Sequence, residues 1–110
     1  MTIEFHTPHG KVPEKLVSTI RNEVLELLHI NKKISRAEVM MREEMNNLQG
    51  ENDVCEIRLS IYGDNLFVHG QAVSFEKAAR IALKELKRLV RQQVKKQKEV
   101  PDQKLSTVKV

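Results

Sequence analysis

The residues of this chain whose types and spacing could act together are cations. Lys77, Arg80, Lys84, Lys87, Arg88, Arg91, Lys95 and Lys98 recur at intervals of mostly three or four residues. On a helical wheel at 100° per residue they share a sector of about 100°. Phe75, Ala78, Ala79, Ala82, Leu83, Leu86, Leu89 and Val90 centre on the opposite side, and Glu76, Glu85 and Glu99 fall outside the cationic sector. Like charges stacked this way destabilise a helix by about 0.2–0.5 kcal/mol per close pair. A helix shaped for stability alone would intersperse glutamates. A row of phosphates relieves the repulsion and releases counterions, so the pattern predicts a polyanionic partner, nucleic acid first. The plain alternative is a solvated face that merely keeps the protein in solution.

The charge of the whole chain sharpens this expectation. Over 110 residues the net charge is only +4, but it is unevenly spread. Residues 1–73 hold 8 Lys/Arg against 11 Asp/Glu, residues 74–99 hold 9 against 3, and residues 100–110 hold 2 against 1. One element therefore carries the positive excess, an asymmetry typical of proteins that meet polyanions.

Other reactive residues are less organised. His6 and His9, in His6-Thr7-Pro8-His9, have no cysteine or third ligand near them in sequence, a weak metal signal. Cys55 alternates with Ile57 and Leu59, the pattern of a buried structural thiol. No Ser/His/Asp grouping and no glycine-rich phosphate loop can be assembled, so neither an enzyme, nor a cofactor, nor a small-molecule substrate is expected. Met40, Arg58, Phe67, His69 and Tyr62 fall on the polar side of strand-like runs. Aromatic residues on a sheet can stack unpaired bases, a role here secondary to the cationic row.

The elements that must position these residues can be read from periodicity. Thr2 to His6 alternates as a half-buried strand. Pro13 suits a first helical position, and Leu16, Val17, Ile20, Val24, Leu27 and Leu28 then mark one face of a helix ending near Asn31-Lys32-Lys33. Ala37, Val39 and Met41 alternate in a second strand, Cys55, Ile57, Leu59 and Ile61 in a third, and Leu66, Val68, Gly70 and Ala72 in a fourth. Gly63-Asp64-Asn65 reads as the hairpin turn between the last two. Ser74 is a good N-cap for a helix to Glu99, about 38 Å long, which Pro101 should stop. The predicted fold is a two-layer α+β sandwich in the order βαβββα, with a four-stranded mixed sheet and both helices packed on one face. Residues 1–100 form a single RNA-binding domain and 101–110 a flexible tail.

This order and several segments resemble the ribosome hibernation-promoting factors, also called ribosome-associated inhibitor or sigma-54 modulation proteins. The likeness rests on Ile34-Ser35-Arg36-Ala37-Glu38-Val39, on Cys55 to Ala72, and on Phe75 to Lys96, within which Ser74-Phe75-Glu76-Lys77-Ala78-Ala79-Arg80 and Glu85-Leu86-Lys87-Arg88-Leu89-Val90 match characteristic stretches of the last helix. The resemblance implies a non-enzymatic, translation-silencing factor that occupies the mRNA and tRNA channel of the small ribosomal subunit. It also implies rRNA contacts at Arg88 and Lys96, which fall directly on basic positions of the family. Two departures are plain. The first helix carries Glu23 and Glu26 where the family usually has lysines, and Gln92-Gln93-Val94 stands where a basic triplet is usual. The length fits a short form without the second, dimerising domain of longer members.

Together these readings assign rRNA binding to Lys77, Arg80, Lys84, Lys87, Arg88, Arg91, Lys95, Lys96 and Lys98. Two rival functions are a generic double-stranded RNA-binding domain and a protein-interaction module whose basic helix docks on an acidic partner. A membrane role is not expected, since no apolar run approaches the length of a bilayer span. The opening MTIEFHTPHG lacks the pattern of a signal peptide. With a single cysteine, this points to a cytoplasmic protein, monomeric when off the ribosome.

Overall fold

The computed structural model describes residues 2–45 and 48–109, with side chains described up to Lys95. Its elements run β1 (Thr2–His6), α1 (Glu14–Ile30), β2 (Ile34–Glu43), β3 (Asp53–Ile61), β4 (Asp64–Ala72) and α2 (Phe75–Lys109). One sheet has the order β1-β2-β3-β4, with β1 and β2 parallel and the other pairs antiparallel. The mixed sheet and the βαβββα order are those the sequence predicts. The parallel pair follows from the α1 crossover, and the meander from direct loop connections, nine residues between β2 and β3 and two between β3 and β4.

Element ends are set by local chemistry. Pro13 is extended (φ −63, ψ 143) and occupies the N-cap of α1 rather than its first turn, its carbonyl accepting from the Leu16 and Val17 amides. Asn31 closes α1: its amide donates to the Leu27 carbonyl at 2.9 Å, and its Oδ1 accepts from the Lys33 amide at 3.0 Å. The Ser74 hydroxyl caps α2, accepting from the Lys77 amide at 3.2 Å. The hairpin turn lies one residue earlier than the sequence suggests. Ile61 pairs with Asp64, so Tyr62 and Gly63 form the loop and Asp64 and Asn65 belong to β4. Gly63, at φ 88, supplies the positive dihedral that the turn needs. Asn65 instead accepts the Ile61 amide through Oδ1.

α2 also departs from expectation. It runs to Lys109 rather than stopping at Pro101, a helix of about 52 Å. An interior proline removes one backbone bond and crowds the preceding turn. Gln97, Lys98 and Glu99 before it and Gln103, Lys104 and Leu105 after it are helix formers, and the backbone continues across it. The expected flexible tail over 101–110 falls on residues whose side chains lie outside the described ones.

The core lies between the sheet and the two helices. Ile20, Val24 and Leu27 of α1 meet Ala37, Val39, Ile57 and Leu59 of the sheet, while Ala78, Ala82, Leu86 and Val90 line the inner side of α2. α2 sits unusually close to β4. A methyl group at Gly70 would lie 2.1 Å from the Ala78 carbonyl oxygen and 2.9 Å from the Ala82 amide nitrogen. Only a glycine facing two alanines lets the backbones approach this far. Cys55 is fully buried, and burial, with a smaller push from Glu56, raises its thiol to about 12, so it behaves as a small core hydrophobe.

The other sheet face meets solvent and carries a charge ladder across its strands. Arg36 bonds Glu4 at 2.8 Å, Arg58 lies 3.8 Å from Glu38, and Arg42 joins Glu44 at 2.8 Å and also Glu56. Arg58 covers the Phe67 ring at 5.8 Å. Burial would raise the Glu56 carboxyl, but hydrogen bonds with Arg42 and His69 prevail and hold it below its usual value.

Two outcomes follow from this architecture. Gly70→Val has no room on either side, because the obstructing atoms are backbone; it should lose about 3 kcal/mol or more, read as a lower urea midpoint at unchanged slope. A near-neutral result would mean that α2 can move away without penalty. The second concerns acid. A carboxyl whose pKa is lowered in the folded state stabilises fully above its unfolded value near 4.5 and loses that contribution as pH falls through the folded value. Wild type should therefore lose more stability than Glu56→Gln as pH is lowered from about 5 to 3. Asp53, held above its usual value by burial and then by Glu43, acts in the opposite sense and is common to both proteins. Parallel stability curves for the two would show that the Glu56 ladder contributes nothing.

Candidate nucleic-acid interface

α2 packs its alanine and leucine side on β4 and β3, so its other side must face outward. Lys77, Arg80, Lys84, Arg88, Arg91 and Lys95 are all exposed along that side, and Lys87 is half-buried. The structure therefore brings seven of the nine expected cations onto one solvent-facing helix. Lys96 and Lys98 lie outside the residues whose side chains are described.

The seven are not equivalent. Arg80 is bonded to Glu76 at 3.0 Å, one turn back on the same helix. Arg88 holds Glu85 through two nitrogens, Nε to Oε2 at 3.1 Å and Nη2 to Oε1. This bond lowers the Glu85 carboxyl and raises the Arg88 guanidinium. Both pairs are exposed, and pairs of this kind are worth little in water, so a phosphate can compete for either arginine. Lys87 differs. Its Nζ lies 2.5 Å from Glu23 of α1, with both side chains about two-thirds covered, and the pair ties the two helices together. The family-unlike glutamate on α1 is thus a tertiary partner of the basic helix.

Lys77, Lys84, Arg91 and Lys95 have no carboxylate partner among the described residues. The first three are seven residues apart, about 10.5 Å along the axis, and lie almost on a straight line. They form the part of the row whose charge is unspent. The sequence wheel missed the two intrahelical pairs because it treats side chains as spokes, whereas residues three and four apart reach one another across the surface. The Lys87–Glu23 bond joins residues 64 apart and had no local signal, although charge complementarity between the two helices hinted at it.

The remaining candidates resolve simply. His6 does not associate with His9. Its Nε2 lies 3.6 Å from Glu4 and 3.4 Å from Glu38, a group of three potential metal ligands among the described residues. Arg36 already engages both carboxylates, and the arrangement reads as part of the ladder. Phe67 is half-exposed beneath Arg58, and Tyr62 stands almost fully in solvent at the hairpin turn. His69 has Nδ1 3.3 Å from Glu56 Oε2. A shallow depression of about 1060 Å³ crosses the outer side of α2 and is lined by Lys84, Arg88 and Arg91 together with Ile81, Gln92 and His69. Ile81 and Gln92 share the helix with the cations, whereas the nearness of the β4 backbone at His69 depends on how α2 lies over the sheet. No helix among the described residues is long and apolar enough to cross a membrane.

Comparison with known proteins bears on this geometry. No curated protein sequence matches the chain. Among solved structures, a ribosomal subunit interface protein from Coxiella burnetii superposes with a TM-score of 0.69 at 9% identity, covering 84% of this chain and 96% of that one. The N-terminal domain of Protein Y from Thermus thermophilus gives a TM-score of 0.66 at 16% identity, over 84% of this chain and 98% of its own. At such identities the likeness is one of fold. The sequence profile of one family matches residues 3–98, nearly the whole described domain. By that match, and as the quoted segments lead one to expect, the chain belongs to the sigma 54 modulation protein / S30EA ribosomal protein family.

Proposed function

We propose that this protein is a ribosome-associated hibernation factor that binds small-subunit rRNA in the mRNA and tRNA channel through the outer face of α2. It silences translation by occupancy, without catalysis, cofactor or small-molecule substrate, and works in the cytoplasm as a monomer until it meets the ribosome. The observation that carries the reading is the line of cations Lys77, Lys84 and Arg91, without a carboxylate partner among the described residues, on a helix whose other side is locked to the sheet. A fixed helix holds its charges in register with successive phosphates, and binding releases the counterions on both partners. Family membership supports the ribosomal target.

Within this reading the cations divide by role. Lys77, Lys84, Arg91 and Lys95 contact phosphate directly, Arg80 and Arg88 join after exchanging a glutamate for phosphate, and Lys87 holds α1 against α2. Lys96 and Lys98 extend the same proposal beyond the described side chains. Glu26 makes the α1 side unwelcoming to RNA, so the nucleic acid lies over α2 and toward β4.

Sedimentation with purified small ribosomal subunits at two salt concentrations tests this. Wild type should pellet with the subunit at low salt and be released steeply as salt rises. Lys84→Glu combined with Arg91→Glu should remain in the supernatant. Each of Lys77→Gln, Lys84→Gln and Arg91→Gln should lower the slope of log affinity against log salt by about one, while Lys87→Met leaves the slope intact and instead loses about 0.5 kcal/mol of fold stability. Wild type that does not pellet at low salt would end the ribosomal reading. A complex that survives nuclease digestion of the RNA would replace it with an acidic protein partner.

A further inference from the structure

β4 closes one side of the sheet and bonds only to β3, so its outer edge carries backbone groups that the sheet does not use. Two bonds at the ends of β3 show which groups these are. The Glu44 amide donates to the Asn52 carbonyl and the Tyr62 amide to the Lys33 carbonyl, so even-numbered residues of β3 bond to β2 and odd-numbered ones to β4. The partners of Cys55, Ile57 and Leu59 in β4 are Gly70, Val68 and Leu66. The amides and carbonyls of Asn65, Phe67, His69 and Gln71 therefore point away from the sheet, a row of about 20 Å. Among the described residues no hydrogen bond reaches them.

This edge lacks the usual defences against a further strand. β4 has nine residues, with no proline, lysine or arginine and no shift of register against β3. The opposite edge, β1, has five residues and carries Glu4 and His6 within the charge ladder. What lies beside β4 is the flank of α2, where Ile81, Lys84 and Arg88 line a depression that reaches β4 at His69. Glu85 on that flank is held by Arg88. A second copy adding through its own β4 would bring two cationic flanks together, which repulsion opposes. We propose that the free edge of β4 accepts an extended, acidic segment of a partner protein as a fifth strand. Backbone bonds to Asn65, Phe67, His69 and Gln71 supply affinity, and alternate side chains supply selectivity. On the helix side, carboxylates of the added strand meet Lys84 and Arg88. On the open side, β-branched residues pack next to Phe67, which is 48% exposed. The inference does not rest on the RNA-binding reading, but Lys84 and Arg88 serve both, so a bound strand excludes RNA from them.

The probe is an end-capped octapeptide of alternating glutamate and valine, and amide hydrogen exchange of the protein is followed by NMR with and without it. In the free protein the amides of Asn65, Phe67, His69 and Gln71 should exchange rapidly. At saturation they should slow by about tenfold or more, while those of Leu66, Val68 and Gly70, already bonded to β3, change little. The same peptide N-methylated at every residue should not bind, nor should one with lysine in place of glutamate. His69→Pro removes one outward amide and no sheet bond, at a place where an edge strand tolerates proline; it should weaken binding by about tenfold. Lys84→Gln combined with Arg88→Gln, both on the surface, should weaken it with the fold unchanged. Saturation without protection of the four outward amides would overturn the proposal, as would equal binding of the N-methylated peptide or no binding of the glutamate–valine peptide. Protection that rises with protein concentration in the absence of peptide would assign the edge to a second copy and overturn it as well.

Discussion

The close approach of α2 to β4 at Gly70 is the constraint on which the placement of the cations depends. With the Ala78 carbonyl oxygen 2.1 Å from where a β-carbon would sit, the helix can neither roll nor slide without separating from the sheet. A helix fixed in roll presents a fixed set of side chains to solvent. The alanines that permit the contact also determine, through the 3.6-residue repeat, which residues stand opposite them. Those residues are the lysines and arginines. The hydrophobic side of α2 therefore decides which way its charge points, and the interhelix Lys87–Glu23 bond reinforces the setting from the α1 side.

Much of this was legible in the sequence because period and composition act locally. The alternation in Cys55 to Ile61 and the apolar stripe from Leu16 to Leu28 each point to one element, and the order of elements leaves few topologies. What could not be read was of two kinds. Some features rest on competition between neighbours: Gly63 takes the turn and frees Asn65 for β4, and α2 continues through Pro101 although that residue alone argues for a stop. Others depend on distant parts of the chain meeting. The partnership of Glu23 with Lys87, and the close approach of Gly70 to Ala78, exist only once α1, α2 and β4 are assembled.

The described cations of the row lie on α2 as the wheel places them, but they are not equivalent. Eight cations in a row suggest eight equal contacts. In the folded protein, two arginines are held by exposed glutamates on their own helix, and one lysine is spent on holding two helices together. The unspent charge is concentrated on a narrower line than the wheel implies. Glu23, which as a sequence feature looked like a departure from the family pattern, is better understood as part of the support for that line.

The ladder across the open face of the sheet has a consequence for motion in solution rather than for structure. Because Glu4, Arg36, Glu38, Arg42, Glu56 and Arg58 satisfy one another side by side, that face projects little field beyond its own surface. The opposite face does the reverse. Such lopsidedness gives the molecule an electric moment, and a highly charged target would exert a torque on it before any atoms touch. Tumbling near such a target would be biased. The pleated side, by cancelling its own charges, leaves the direction of that moment to the helices.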